Sequence, residues 1–280
     1  MPPIDDNDTE PYTCFRTRGP LALDGRLSEA AWRAAPKSPR FVDMVTGEPG
    51  FFDTRAAALW DEENLYIGFW VEEPFVEAHL TERDALIFTE NDVEVFIDGG
   101  DCYYEFEINA LNTVYEVFFI WQDAYPRGGR FDVPEFDLLT RRALSFGGNY
   151  DRTAEHFWWG THPRKARWAF PDWDFPGLRS AVHIDGRLND RQVVDRGWQV
   201  SLAFPWAGMG WLADGRPLPP RDGDEWRMFF GRFERLPVAG VLPQPQPAWC
   251  WTKHGTLDTH MPERFTRVRF STRWVEEAGA

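Results

Sequence analysis

Short segments in which every second residue is apolar recur along this chain, whereas helical periodicity is not sustained over three turns anywhere. The clearest examples are residues 92–97 and 103–109, whose apolar positions are two residues apart. A period of two places successive side chains on opposite faces of a β-strand. The intervening residues 98–101, with sequence Asp-Gly-Gly-Asp, are typical of a turn. The pattern therefore predicts a β-hairpin that has one apolar face and a second face carrying Glu94 and Glu107.

Other segments extend this interpretation to most of the chain. Residues 56–60 and 65–71 predict a hairpin with a four-residue loop at 61–64. Further strands are predicted at 114–121, 198–204, 226–233 and 265–270. Near the start, residues 21–25 suggest a short strand and turn, after which Ser28 could cap a helical turn that carries Trp32 inward. The predicted fold class is all-β, an antiparallel β-sandwich with jelly-roll or immunoglobulin-like layers and long aromatic loop insertions.

A length of 280 residues is compatible with one sandwich domain that has large loops. We predict this domain at 19–273, between an N-terminal tail at 1–18 and a C-terminal tail at 274–280. Residues 127–179 show little alternation and are rich in Gly, Pro, Arg and aromatic residues, which predicts an inserted structured loop. The proline-rich residues 237–247 predict a second loop.

Charge and composition exclude several classes of protein. A formal net charge of −15 opposes nucleic-acid binding, which requires a basic surface. No apolar run is long enough to span a bilayer, so a membrane-embedded protein is excluded. The N-terminus has no features of a signal peptide, which predicts a cytoplasmic protein, or a secreted one if a leader has been removed. Three unevenly spaced cysteines, Cys14, Cys102 and Cys250, favour free thiols over a disulfide. Nothing in the sequence indicates the oligomeric state.

Several motifs, taken in their order along the chain, resemble family 9 carbohydrate-binding modules and the longer stand-alone, DOMON-like proteins similar to them. These motifs are Leu23-Asp24-Gly25 with Glu29 and Trp32, Leu59-Trp60-Asp61 before Leu65-Tyr66-Ile67, the acidic strands at 91–98 and 104–109, Gly197-Trp198 running to Pro205-Trp206, and residues 249–270. The resemblance implies a β-sandwich that holds the end of a sugar chain in a slot between two aromatic side chains. It also implies calcium ions that fix nearby loops.

Carried over to this sequence, the resemblance places the two aromatic rings of the slot at Phe88 and Trp251. Phe88 departs from the family pattern, which has tryptophan there. Glu94 matches a glutamate that contacts the sugar, whereas Glu107 stands where an arginine is expected. The alternative for the two rings is packing in the core. For the two glutamates, the alternatives are a solvated sheet face or pairing with arginine.

Two other groups of residues suggest ion binding or catalysis. Asp98 and Asp101 could offer oxygen ligands to a structural calcium ion, although Asp and Gly favour turns without any ion. For the carbohydrate-binding interpretation, calcium is the only cofactor that we predict. His254 and His260 flank Asp258 and could form a transition-metal or acid–base cluster, but their spacing matches no zinc motif. Loop histidines with ordinary partners are the simpler interpretation.

Together these features predict a non-catalytic protein that binds a mono- or oligosaccharide, with no catalytic residue assigned. The alternative is a glycoside hydrolase that uses Glu94 or Glu107 as acid or base. Glu105 and Glu107 lie roughly 6 to 7 Å apart along one strand face, a separation compatible with an inverting mechanism. A third interpretation is an electron-transfer domain that binds haem non-covalently through a Met and a His. The CxxCH motif for covalent haem attachment is not present in the sequence.

Overall fold

Strands provide nearly all of the regular secondary structure in the computed structural model, which describes residues 9–148, 162–237, 240–242 and 246–278. The strands are β1 (Tyr12–Arg16), β2 (Val42–Asp43), β3 (Thr54–Trp60), β4 (Asn64–Glu72), β5 (Asp92–Asp98), β6 (Cys102–Ile108), β7 (Val114–Trp121), β8 (Leu144–Phe146), β9 (Arg167–Phe170), β10 (Arg179–Asp185), β11 (Gly197–Pro205), β12 (Glu225–Phe233), β13 (Ala248–Cys250) and β14 (Thr266–Trp274). A single turn of helix, α1, spans Ala30–Ala34. None of the helices in the described ranges has the length and apolarity to cross a bilayer.

Hydrogen bonds join these strands into one sheet with the order β10-β11-β4-β3-β1-β14-β12-β5-β6-β7-β9-β8, and β13 pairs with both β12 and β2. Neighbouring strands are antiparallel except at β1, which is parallel to both β3 and β14. β1 is therefore the exception to the predicted antiparallel arrangement. β1 lies within the segment 1–18, which the sequence suggested was a tail, yet it is a central strand.

Ring contacts show that this long sheet is folded into two packed layers. β11 and β6 are seven strands apart in the order, which is about 34 Å in a flat sheet with strands roughly 4.8 Å apart. Phe204 of β11 nevertheless contacts Phe106 of β6, with ring centroids 5.6 Å apart. Likewise, Phe69 of β4 lies 6.3 Å from Phe230 of β12. The predicted β-sandwich is thus confirmed, because β11 packs against β6 and β4 packs against β12.

Alternation assigns the side chains of each layer to an inner and an outer face. On β5 and β6 the inner residues, such as Val95 and Phe106, belong to the core cluster between the layers. Phe96 and Tyr103, on the outer face of the same strands, belong to a second buried cluster. Trp32 of α1 belongs to a third cluster, which covers the outer face of β3 and β4. Segments remote in sequence therefore cover the outer faces of both layers.

The structure confirms both predicted hairpins, β3–β4 and β5–β6, and the strand at 114–121. The buried helical turn at Trp32 is also confirmed, but its N-cap is Glu29 rather than Ser28, and no side chain caps it. Residues 21–25 form no strand, because their backbone does not pair with any strand of the sheet. Cys14, Cys102 and Cys250 are buried free thiols, as predicted.

The segment 127–179 contains more regular structure than a loop. It includes β8 and β9, which extend the second layer beyond β7. Residues 149–161 of this segment lie outside the described ranges. Alternation did not reveal these strands because both are short, at three and four residues.

Candidate functional site

Four acidic side chains share the outer face of β5 and β6. Glu94 pairs directly with Glu107, and Phe96, two residues along from Glu94, pairs with Glu105. Asp92 lies two residues from Glu94 and therefore points to the same side. All four are buried, with exposed fractions between 0% and 6%. We call Asp92, Glu94, Glu105 and Glu107 the carboxylate cluster.

Few protein groups satisfy the oxygens of the carboxylate cluster. Glu107 Oε2 accepts a hydrogen bond from the backbone N–H of Phe88 at 2.9 Å. Asp92 accepts one from the backbone N–H of Phe233 at 3.1 Å. The buried atoms Asp92 Oδ2 and Glu94 Oε2 have no hydrogen-bond partner in the described part of the chain. The cluster thus retains acceptor capacity toward a further group.

Burial dominates the electrostatics of the carboxylate cluster. It raises the pKa of Glu94 well above its usual range, and the negative charges of Asp92 and Glu105 add to this effect. The pKa values of Asp92 and Glu107 are likewise raised well above normal, first by burial. Burial raises the pKa of Glu105 to about 8, although a hydrogen bond with Glu107 opposes the increase. Without a compensating group, ionisation of these side chains is unfavourable.

Half-buried aromatic rings lie beside the carboxylate cluster. Phe88 belongs to a short 3-10 segment, Ile87–Thr89, which its backbone bond to Glu107 ties to the sheet. Its ring contacts Tyr115 edge-on, with centroids 5.8 Å apart. Tyr115 pairs with Glu107 across β6 and β7, and Phe233 pairs with Asp92 across β12 and β5. Aromatic surface and carboxylate oxygens are therefore adjacent on one face.

Trp251 has different neighbours from the other predicted site residues. Its backbone N–H donates to the carbonyl oxygen of Phe230 at 3.0 Å. Its half-buried ring lies 4.9 Å from Phe230 and 4.8 Å from Tyr12. Phe230 belongs to the core between the layers. The structure thus brings Phe88, Glu94 and Glu107 together, whereas Trp251 contacts core aromatic residues.

The predicted calcium ligands already have protein partners. Asp98 Oδ1 accepts the backbone N–H of Gly100 at 2.9 Å, which is a common contact in turns. Asp101 Oδ1 accepts from Arg164 Nη2 at 2.8 Å. Burial raises the pKa of Asp98, although the nearby Arg216 opposes this. Calcium binding at this turn stays a prediction.

Both histidines are buried, and their rings pack against Phe96 of β5 and Phe229 of β12. His254 Nδ1 lies 2.8 Å from the carbonyl oxygen of Asp258, to which it donates. His260 Nδ1 is within 3.0 Å of the hydroxyl of Tyr103 on β6. The ring of His254 also stacks on Phe265. These contacts agree with the simpler interpretation, in which ordinary partners hold both histidines.

His254 should make stability depend on pH. Burial lowers its pKa from 6.5 to about 4, so the unfolded chain takes up this proton more readily than the folded one. The contribution of neutral His254 is complete above pH 6.5 and is lost as the pH falls toward 4, by about 3 kcal/mol in total. Urea unfolding of wild type and His254→Phe between pH 4 and 7.5 measures the difference. Equal pH slopes in the two proteins would contradict the assignment.

Sequence analysis did not include Asp92, Tyr115 or Phe233 among the candidate site residues. The signal for Asp92 was present, because Asp92-x-Glu94 on one strand and Glu105-x-Glu107 on the next share the period of two. Tyr115 and Phe233 become part of the site only through strand pairing. That pairing involves β7 and β12, whose register the sequence pattern does not fix.

Comparison with known families supports the resemblance seen in the sequence. Residues 23–117, roughly a third of the chain, match the family described as carbohydrate family 9 binding domain-like. This stretch includes Phe88, Glu94, Glu107 and Tyr115. Comparison with curated protein sequences gives no match.

Two solved structures are similar to this chain over nearly its full length. One is a protein from Bacteroides uniformis ATCC 8492 whose name assigns it carbohydrate binding, with 14% identity, a TM-score of 0.57, and coverage of 92% of this chain and 98% of that one. The other is a family 9 carbohydrate-binding module from Caldicellulosiruptor kristjanssonii in complex with glucose. It has 10% identity, a TM-score of 0.50, and coverage of 93% and 96%. At these identities the similarity establishes a shared fold.

Proposed function

We propose that this protein binds carbohydrate without transforming it, on the outer face of β5 to β7. The observation that carries the proposal is the placement of buried carboxylate oxygens with free acceptor capacity beside the half-buried rings of Phe88 and Tyr115. Sugars present both kinds of complementary surface, because their hydroxyl groups donate hydrogen bonds and their C–H faces are apolar. A pyranose could therefore pack on Phe88 while its hydroxyl groups donate to Glu94 and Glu107.

The family match supports this proposal, since it covers the segment that supplies these side chains. The Bacteroides structure adds support through its fold and its name. Glucose, the ligand of the family 9 module, is a reasonable first test ligand together with short glucose oligomers. Trp251, which the resemblance pairs with Phe88, stays a predicted second contact.

The arrangement favours binding over hydrolysis. Ligand oxygens of Asp92, Glu94 and Glu107 all lie within 4.8 Å of one another, and Glu105 is hydrogen-bonded to Glu107. The two carboxyl groups of a glycosidase flank the scissile bond at roughly 5 to 9.5 Å. Three carboxyl groups whose oxygens lie within 4.8 Å of one another on one face are too close together to flank a scissile bond.

Isothermal titration with glucose and its oligomers tests the proposal. We expect Phe88→Ala to weaken binding by about 10- to 100-fold, because the substitution removes the ring on which the sugar packs. Glu94→Gln should weaken it by about tenfold, because the substitution replaces one acceptor oxygen with an NH₂ donor. Phe51→Ala is the matched control, since Phe51 is 67% exposed and contacts Phe52 instead.

Trp251→Ala separates the two possible sites. If Trp251→Ala reduces the affinity for sugar while Phe88→Ala leaves it normal, the sugar binds on the Trp251 side of the sheet instead. No heat with any neutral sugar would refute carbohydrate binding on the proposed face. Turnover of an oligomer that stops in Glu94→Gln would replace the proposal with glycoside hydrolysis.

A further inference from the structure

Among the described residues, the carboxylate cluster has none of the basic partners that buried acidic side chains normally have. In the described ranges, none of its four members forms a salt bridge. Buried Glu73 and Glu234, by contrast, share Arg232 as a counter-ion. Buried charges are ordinarily paired or bound to metal ions. The cluster therefore needs either protons or a cation to be stable.

The geometry of three of these side chains suits a cation. Ligand oxygens of Asp92, Glu94 and Glu107 lie within 4.8 Å of one another. Calcium–oxygen distances are about 2.3 to 2.6 Å, so one ion could contact all three side chains at once. The backbone bonds from Phe88 and Phe233 fix Glu107 and Asp92 in place.

Two buried oxygens remain for a ligand. Asp92 Oδ2 and Glu94 Oε2 lack any hydrogen-bond partner in the described chain, although Asp92 and Glu94 are at most 2% exposed. All of the available donor atoms are carboxylate oxygens, which favour hard cations such as calcium, magnesium or manganese.

We propose that Asp92, Glu94 and Glu107 bind a hard divalent cation of the calcium class. Two positive charges offset most of the three negative ones, and the ion supplies the partner that Asp92 Oδ2 and Glu94 Oε2 lack. The site differs from the turn at Asp98 and Asp101, which sequence analysis predicted for calcium. It requires no bound sugar.

Calcium titration of the full-length protein after chelator treatment tests the site. We expect one ion per chain by calorimetry and, at 100 times the dissociation constant, an increase in Tm of roughly 5 °C. Glu94→Gln and Glu107→Gln should each weaken calcium binding by at least about 100-fold, because each removes a charged ligand. Asp98→Asn and Asp101→Asn, the matched controls in the nearby turn, should bind calcium as wild type does.

Stability in chelator shows whether the variants fold. Glu94→Gln should unfold at the same temperature as chelated wild type or at a higher one, because it removes repulsion within the cluster. Absence of binding for both calcium and manganese would overturn the proposal. So would calcium binding that survives in Glu94→Gln but disappears in Asp98→Asn or Asp101→Asn.

Sugar titrations on the same samples keep the two proposals separate. Calcium binding without sugar binding would support the cation site and refute only the carbohydrate proposal. Sugar binding to a protein that binds neither calcium nor manganese would refute only the cation site.

Discussion

Replacement of Arg232 by methionine should lower the free energy of unfolding by about 3 to 5 kcal/mol, because it leaves two buried carboxylates without their counter-ion. Arg232 is fully buried, and its Nη2 lies 2.6 Å from Glu234 and 3.5 Å from Glu73. Its Nη1 donates to Thr54 Oγ1 at 2.9 Å and to the carbonyl oxygen of Glu72 at 2.8 Å. The side chain thus joins the end of β12 to β3 and β4.

The loss should depend on pH in a defined direction. Burial, together with the charge of Glu234, raises the pKa of Glu73 to about 7 even when Arg232 is present. The pKa of Glu73 is higher in the folded protein than in the unfolded chain. The stability that this difference contributes is therefore complete below the pKa of the unfolded chain, and it is lost as the pH rises through 7. In Arg232→Met, the deficit should therefore be largest above pH 7 and smaller near pH 5.

Urea unfolding at pH 7.5 and 5.5 measures both effects. Arg235→Met is the matched control, because Arg235 lies three residues away and is exposed. We expect it to change stability by less than about 0.5 kcal/mol. A deficit below 1 kcal/mol at pH 7.5 for Arg232→Met would show that water, rather than Arg232, compensates the two glutamates.

The strands that could be predicted from the sequence are those long enough to show a clear alternation of apolar and polar residues. β5 and β6 have seven residues each, and their apolar positions gave the hairpin directly. β2 and β13 have two and three residues, too few for a period to be visible. β1 is short and lies near an acidic terminus, so its central, parallel pairing depends on contacts that no local pattern encodes.

The carboxylate cluster shows a similar limit at the level of the site. Alternation placed Glu94 and Glu107 on one face, and an acidic face normally suggests exposure to solvent. Phe146, His260 and Phe265 belong to or contact the buried cluster on this face, and they come from distant parts of the chain. Burial of the acidic groups, and hence their raised pKa values, therefore required the tertiary structure.

Trp251 shows that a resemblance can identify a residue without fixing its neighbours. The motif places a tryptophan near the C-terminal end, and its ring contacts Tyr12 of β1. Because β1 was not recognised as a strand, that contact could not be anticipated. Its role in sugar binding depends on the titrations proposed above.

Phe204→Ala should destabilise the protein by about 3 to 5 kcal/mol, because the ring joins the two layers of the sandwich. Phe204 is fully buried on β11. Its ring contacts Phe106 at 5.6 Å and Tyr104 at 6.3 Å on β6, and Phe175 at 5.4 Å. Truncation would leave a cavity that the surrounding rings cannot fill unless a strand moves. Urea unfolding measures the resulting loss in the free energy of unfolding.

Phe51→Ala provides the comparison for Phe204→Ala, because it removes the same ring from a side chain that is 67% exposed. We expect a change within about 0.5 kcal/mol for Phe51→Ala. Similar losses in the two variants would mean that β11 and β6 do not pack face to face. A large loss confined to Phe204→Ala would support the two-layer packing, which holds β5 and β6 rigid and so fixes the positions of Glu94 and Glu107.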